Sequence, residues 1–114
     1  MTPLFHITPL THDTPAHHYR ATLTTDHSVF GGHFPDAPVV PGVMTMQLVR
    51  QCCADALRRE VSFHEIKEAK FLAPILPHRH NEVEIQLSIK DDNNLTAQVS
   101  HHETTMMKLK ATLR

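Results

Sequence analysis

Apolar and polar residues alternate along most of the last third of the chain. Every second position is apolar in residues 83–90, 95–100 and 107–114. A period of two is typical of a β-strand with one buried face, so three strands are predicted here. The polar run Asp91-Asp92-Asn93-Asn94 separates the first two and has the composition of a turn.

One segment, residues 43–60, has the period of a helix instead. Apolar residues recur there at steps of three and four, at Met46, Val49, Cys53, Ala56 and Leu57. Pro41-Gly42 precedes it, and Arg58-Arg59 lies near its end, where positive charge favours the helix dipole. Other faces of this segment are apolar too, so we expect the helix to be buried on more than one side.

The remaining segments complete one α+β domain over residues 1–114. Residues 19–25 and 62–72 are predicted strands, whereas 4–10 offers at best one short strand. The glycine- and proline-rich residues 28–42 form an irregular loop. An antiparallel sheet packed on one helix leaves apolar surface uncovered in so small a domain, so we expect at least a dimer.

The length and net charge of the chain indicate which classes of binding partner to expect. The chain has 114 residues and a formal net charge of −1, which argues against a nucleic-acid or membrane partner. We expect no membrane-spanning helix, because no apolar run approaches ~20 residues, and no secretory signal. Cys52 and Cys53 are neighbours in sequence and suit a reducing compartment. We therefore expect a cytoplasmic protein.

Eleven histidines raise the question of a metal site. His78 and His80 could share one face of a strand, but a third ligand would have to come from elsewhere. No spacing typical of a zinc module is present. We expect no metal and no other cofactor, with most of the histidines solvated in loops.

The loop before the helix carries the most specific candidate chemistry. His33 lies between a glycine pair and Phe34-Pro35, and prolines at 35, 38 and 41 restrict the loop. Gly42 then opens the helix, where free backbone N–H groups can receive a polarised carbonyl. A histidine base beside such donors could remove a proton next to a carbonyl and stabilise the enolate. A histidine in a loop can equally be inert.

Two strings give this loop a family resemblance. Residues 32–43, GHFPDAPVVPGV, resemble the GHFPxxPxxPGV signature of the 3-hydroxyacyl-(acyl carrier protein) dehydratases. Residues 67–77, KEAKFLAPILP, look like the KxxxFxxPVxPG segment of the same family. The resemblance covers roughly residues 19–114. It implies the hot-dog fold, in which an antiparallel sheet wraps around one central helix.

The resemblance also implies roles for individual residues. His33 matches the histidine that takes the C2 proton of the substrate, and Gly42 matches the glycine whose N–H polarises the thioester carbonyl. Phe34 and Val43 belong to the same string and are expected in the substrate-binding site. Gln47 stands where the family has a Glu or Asp that acts across the dimer interface, and an amide cannot protonate a leaving oxygen.

Two interpretations of Gln47 stay open: a group that orients substrate or water, or a structural amide within the dimer. Gln51, one turn further on, matches a family glutamine that is usually structural. The expected function is dehydration of 3-hydroxyacyl thioesters to trans-2-enoyl thioesters, in fatty-acid, polyene or polyketide-like lipid synthesis. Alternatives are a hot-dog thioesterase and a non-catalytic acyl-binding or partner subunit. Expected partners are an acyl carrier protein and a second hot-dog chain, in a homodimer or a mixed dimer, where a related chain could supply the missing carboxylate.

Overall fold

The computed structural model describes residues 3–27 and 39–114. Two strands, one helix and four further strands follow one another along this part of the chain. The elements are β1 (Phe5–Asp13), β2 (Ala16–Leu23), α1 (Gly42–Leu57), β3 (Phe63–Phe71), β4 (Glu82–Lys90), β5 (Asn94–His101) and β6 (Thr104–Leu113). Within the described residues this is the predicted α+β architecture, with one helix between the first two strands and the other four; most of the predicted loop 28–42 lies outside the described residues.

All six strands form one antiparallel sheet in the order β1-β2-β4-β5-β6-β3. The inner face of the sheet is apolar, as the alternation predicts: Val83, Ile85, Leu87 and Ile89 of β4 are all buried. Matching alternation in β5 and β6 completes the core layer under the helix. The outermost strands are β1 at one edge and β3 at the other.

Helix α1 buries one stripe fully against the sheet and packs half-buried apolar residues on both sides of that stripe, as expected of a helix buried on more than one side. Its buried residues lie at steps of three and four: Thr45, Leu48, Val49, Cys52 and Cys53. Met46, Ala56 and Leu57 of the predicted stripe are only half-buried. The helix ends at Leu57 and not at Glu60, because Arg58 takes a left-handed conformation (φ 55°) and the N–H of Arg59 bonds back to the Ala54 carbonyl.

The histidines lie differently from the expectation. Six of the described ones are in strands and not in loops, namely His6, His12, His17, His18, His64 and His101. They are half-buried or exposed there. His78 and His80 lie in a turn region instead of a strand. Within residues 3–27 and 39–114, no group of three or more His, Cys, Asp or Glu side chains is placed to hold a metal ion.

The outer face of the sheet carries all five lysines of the chain. Two adjoining depressions on that face are lined by Lys70, Lys108 and Lys110 and by Lys67, Lys90 and Lys110. Lys70 of β3 pairs directly with Lys108 of β6. Glu68 lies between Lys70 and Lys110. Its Oε1 is 3.2 Å from Lys70 Nζ, and its Oε2 is 4.0 Å from Lys110 Nζ. We call this surface the lysine face.

Strand β3 leaves large apolar side chains uncovered at the edge of the sheet. Ile66 and Phe71 are 45% and 54% exposed, and Leu72, which follows the strand, is 54% exposed. The unpaired backbone of this edge and its exposed apolar side chains favour pairing with another chain, even though β3 also carries Glu65, Lys67, Glu68 and Lys70. The helix of the described region is neither long nor apolar enough to cross a membrane.

Candidate active site

The two segments that carry the resemblance meet at the start of α1. The Val40 N–H donates to the Ile75 carbonyl at 2.9 Å, so the end of the first string is tied to the second. Between them lies a cavity of about 280 Å³, lined by residues of both strings and of β6 that include Gly42, Thr45, Phe71, Ile75 and Met107. The lining is mostly apolar, as an acyl group would require.

Gly42 brings the backbone of the helix to this cavity. The N-cap residue of α1 is Pro41, which makes no side-chain capping hydrogen bond. The N–H of Met44 donates to the Pro41 carbonyl at 2.9 Å, whereas no side chain of the described residues caps the N–H groups of Gly42 and Val43. These groups lie at the positive end of the helix dipole. A carbonyl oxygen placed in the cavity could accept from this end of the helix.

Phe71 contacts Gly42 closely. A Cβ on Gly42 would meet the Cε1 and Cζ atoms of the Phe71 ring at 3.0 Å. Glycine is therefore the residue that lets the ring and the helix start share one side of the cavity. The second string supplies this ring, to which the family resemblance alone assigns no role.

Gln47 lies on the same helix but not in this cavity. Thr45, two residues earlier, is buried and lines the cavity, whereas Gln47 is exposed. Gln51, one turn further on, is exposed as well. The Gln47 side chain is therefore available to a second chain docked over this side of α1.

Arg50 holds the amide of Gln47. Its Nε donates a hydrogen bond to Gln47 Oε1 at 2.6 Å. Isolated arginines in a sequence are expected to be solvated, and nothing in the sequence pattern points to this contact, because a spacing of three residues on a helix is common.

The neighbouring cysteines are inert as nucleophiles. Burial raises the pKa of Cys53 to about 12, against the opposing effect of the Arg50 charge. Burial, together with Cys53 and Asp55, raises the pKa of Cys52 well above its ordinary value. Both thiols therefore stay protonated and act as packing groups of the helix.

The predicted site residues are thus placed as follows. Gly42 lines the cavity, while Val43 is 67% exposed at the first turn of the helix and Gln47 faces outward. His33 and Phe34 lie outside the described residues. Met106 and Met107 are buried and line the cavity as well.

The chain is similar to curated dehydratases. Among curated relatives, the 3-hydroxyacyl-[acyl-carrier-protein] dehydratase FabZ of Granulibacter bethesdensis is 31% identical over 99 residues, with 68% of this chain and 58% of the relative covered. FabZ of Magnetococcus marinus is 37% identical over 67 residues, covering 51% and 44%. The chain thus spans about half the length of these curated relatives.

Solved structures show the same fold. The dehydratase heterocomplex ApeI:P of Xenorhabdus doucetiae matches with a TM-score of 0.80 and 24% identity, over 99% of this chain and 98% of that one. The six-stranded sheet with its single helix is therefore the hot-dog fold that the resemblance implied. The family model of the ApeI dehydratases matches residues 10–110, which include both strings and the described residues that line the cavity. The chain belongs to the ApeI-like dehydratase family.

Proposed function

We propose that this chain is a subunit of a dehydratase that acts on 3-hydroxyacyl thioesters. The cavity that opens at the uncapped start of α1 carries the proposal, because it combines an apolar lining with backbone donors for one carbonyl. Removal of a proton from C2 and of the hydroxyl from C3 would leave a trans-2-enoyl thioester and one water. Family membership supports this reaction class.

The proposed division of labour follows the matched positions. His33 takes the C2 proton, and the backbone N–H of Gly42 stabilises the negative charge that develops on the thioester oxygen. Phe34 and Val43 contact the substrate. The acyl group arrives on an acyl carrier protein, as the names of the curated relatives indicate for those proteins.

We further propose that the complete site lies between two chains. Gln47 is exposed on the helix that lines the cavity, and the apolar edge β3 is available for pairing with a partner. A homodimer would place Gln47 in both sites, whereas a related chain could add a carboxylate. The similar dehydratase of Xenorhabdus doucetiae is a heterocomplex, which supports a mixed dimer here.

Mass spectrometry after incubation with a 3-hydroxyacyl carrier protein tests the reaction. Loss of water from the acyl group supports a dehydratase, and loss of the whole acyl group indicates a thioesterase instead. No change with the pure chain, followed by loss of water after a related hot-dog chain is added, supports the mixed dimer. No change in either sample contradicts the proposed reaction.

The variant His33→Ala tests whether His33 is the general base. A general base contributes ~10²–10⁴-fold to the rate, so this variant should lose nearly all turnover. Its melting temperature should stay that of the unaltered protein. Unchanged turnover would remove His33 from the proposal.

A further inference from the structure

The contact between Arg50 and Gln47 determines which end of the amide is available. A guanidinium has donors only, so the amide atom that faces Arg50 Nε at 2.6 Å is the oxygen. The NH₂ group of Gln47 is then the end that no hydrogen bond to Arg50 occupies. Held in this way, Gln47 keeps both N–H donors available, while Arg50 takes one of the two lone pairs of its oxygen.

Arg50 is more than a loosely solvated neighbour. Its side chain is half-buried, while those of Gln47 and Gln51 on the same helix are exposed. Its charge acts on Cys53, which is fully buried three residues further along the helix. A partly buried arginine holds its partner in one orientation better than a fully solvated cation does, although the hydrogen bond to Gln47 itself is exposed.

The same contact disfavours a carboxylic acid at position 47. A carboxyl group there would accept the Arg50 hydrogen bond at the same place, and the adjacent cation would favour its ionised form. An ionised carboxylate has no proton to give to a leaving hydroxyl. A site with arginine at position 50 is therefore suited to an amide at position 47.

We propose that Arg50 is a positioning residue that fixes Gln47 as a hydrogen-bond donor to the departing oxygen, or to a water beside it, in the site of the facing chain. The role assigned to Arg50 rests on the proposed dehydratase function. In this role Gln47 holds the 3-hydroxyl oxygen without protonating it, and the proton that completes water is the C2 proton, returned by the histidine of that site as it becomes neutral again. Replacing Gln47 by an acid would not by itself restore general-acid catalysis.

Titration of an introduced carboxyl group tests the electrostatic step without any turnover. The Gln47→Glu variant, labelled for carbon NMR, should titrate below the ordinary glutamate pKa of about 4.3. In Gln47→Glu combined with Arg50→Gln, the pKa should rise clearly. Gln47→Glu with Arg58→Gln, a cation removed at the end of the same helix, should behave like Gln47→Glu alone. Equal pKa values with and without Arg50 would overturn the proposal.

Kinetics on the active assembly, alone or with its partner chain, test the positioning step. Arg50→Gln should lower kcat roughly ten-fold with little change in KM, because a misplaced donor mainly weakens the transition state. Arg50→Lys should recover part of the loss, and Arg58→Gln should lose nothing. Gln47→Glu should be less active than the double variant with Arg50→Gln, whose kcat should rise as the pH falls. Arg50→Gln with unchanged kcat and pH profile would overturn the role.

The two tests fail separately. If no variant and no assembly dehydrates the substrate, the proposed function is wrong, and the titration still decides whether Arg50 controls ionisation at position 47. If dehydration occurs but the introduced carboxyl titrates independently of Arg50, the function stands and the role of Arg50 is rejected.

Discussion

The ring of Phe71 lies against the first residue of the helix, with two ring carbons 3.0 Å from the position that a Cβ on Gly42 would occupy. Both residues line the cavity, so anything that separates them changes its shape. Phe71 is 54% exposed, which leaves its ring free to turn away when it is pushed. The contact therefore controls the cavity more than it controls stability.

We expect Gly42→Ala to reduce turnover with little effect on folding. The added methyl group pushes the ring, while alanine is favoured over glycine in a helix by about 1 kcal/mol or less. Turnover should fall roughly ten-fold, because small displacements of a bound substrate are costly. The double variant Gly42→Ala with Phe71→Leu should recover part of the rate. A large drop in melting temperature for Gly42→Ala would instead indicate a structural role.

The hydroxyl of the buried Tyr19 donates to Asp55 Oδ2 at 2.7 Å and joins β2 to the helix. Burial and this hydrogen bond raise the pKa of Tyr19 far above its ordinary value, so the phenol stays protonated. Tyr19→Phe removes the hydroxyl and with it the hydrogen bond to Asp55. The loss should lower the unfolding free energy by about 1–2 kcal/mol. Asp55→Ala should cost more, because the hydroxyl then loses its acceptor. Urea unfolding measures both, and a smaller loss for Asp55→Ala would contradict this explanation.

If two chains pair through β3, a charged residue introduced on this edge should separate the dimer. Ile66→Lys places an ammonium group on the exposed apolar edge strand, where a paired chain would bury it. Sedimentation at micromolar concentration should show monomers for this variant. Thr8→Lys, on the opposite edge strand β1, is the control and should keep the oligomeric state of the unaltered protein. Dimers in both variants would place the interface elsewhere.

Two histidines should make stability depend on pH. Burial, and then the nearby His12, lower the pKa of His17 below its ordinary 6.5; burial, His101 and Arg79 lower that of His80. Below pH 6.5 the unfolded chain therefore binds more protons at these sites than the folded chain does. Their contribution to stability is complete above 6.5 and is lost as the pH falls below it.

Urea midpoints at about pH 7.5 and about pH 5.5 measure this dependence. The double variant His17→Gln with His80→Gln should show a smaller change between the two pH values than the unaltered protein. His80 Nδ1 also accepts from the Leu76 N–H at 2.9 Å, so the variant will be less stable at both pH values. The difference between the midpoints is therefore the informative quantity, and an unchanged difference would exclude these histidines.

Periodicity predicted the strands on which the core depends most. The predicted residues 83–90 match β4, which begins one residue earlier at Glu82. Strand β6 begins at Thr104, three residues before the predicted 107, because a register shift between Val99 and Ser100 of β5 lets the two strands pair up to their shared turn. Such a bulge depends on the partner strand and has no signal in a single segment.

The start of the chain was harder to predict. At best one short strand was expected over 4–10, yet β1 runs for nine residues and pairs with β2 along its length. Pro9 argues against a strand, but β1 is at the edge of the sheet and the register shifts between Pro9 and Thr11. Proline has no backbone N–H to donate. At an edge strand the side that lacks the donor can face solvent, so pairing with β2 outweighs the local preference of Pro9.

At the candidate site, the sequence identified the strings but not their contacts. Gly42 followed from its place at the helix start, whereas the roles of Phe71 and Arg50 follow only from side-chain geometry. The buried stripe of α1 includes Thr45, a polar residue that an apolar pattern omits. The predicted stripe is rotated toward Met46 and Leu57, which are only half-buried.

The lysine face gives this nearly neutral chain a permanent electric asymmetry. A net charge of −1 describes the sum of the charges, yet all five lysines lie along one side of one sheet. A charged body that approaches within the Debye length, about 8 Å at physiological ionic strength, experiences a turning force before any contact forms. We expect encounters with anionic surfaces to be oriented by the lysine face at low salt and to lose this orientation as salt is added, with Glu68, Glu82 and Glu84 on the same face of the sheet reducing the effect. The net charge of −1 argues against a polyanionic partner for the molecule as a whole, but it does not describe the charge of the lysine face.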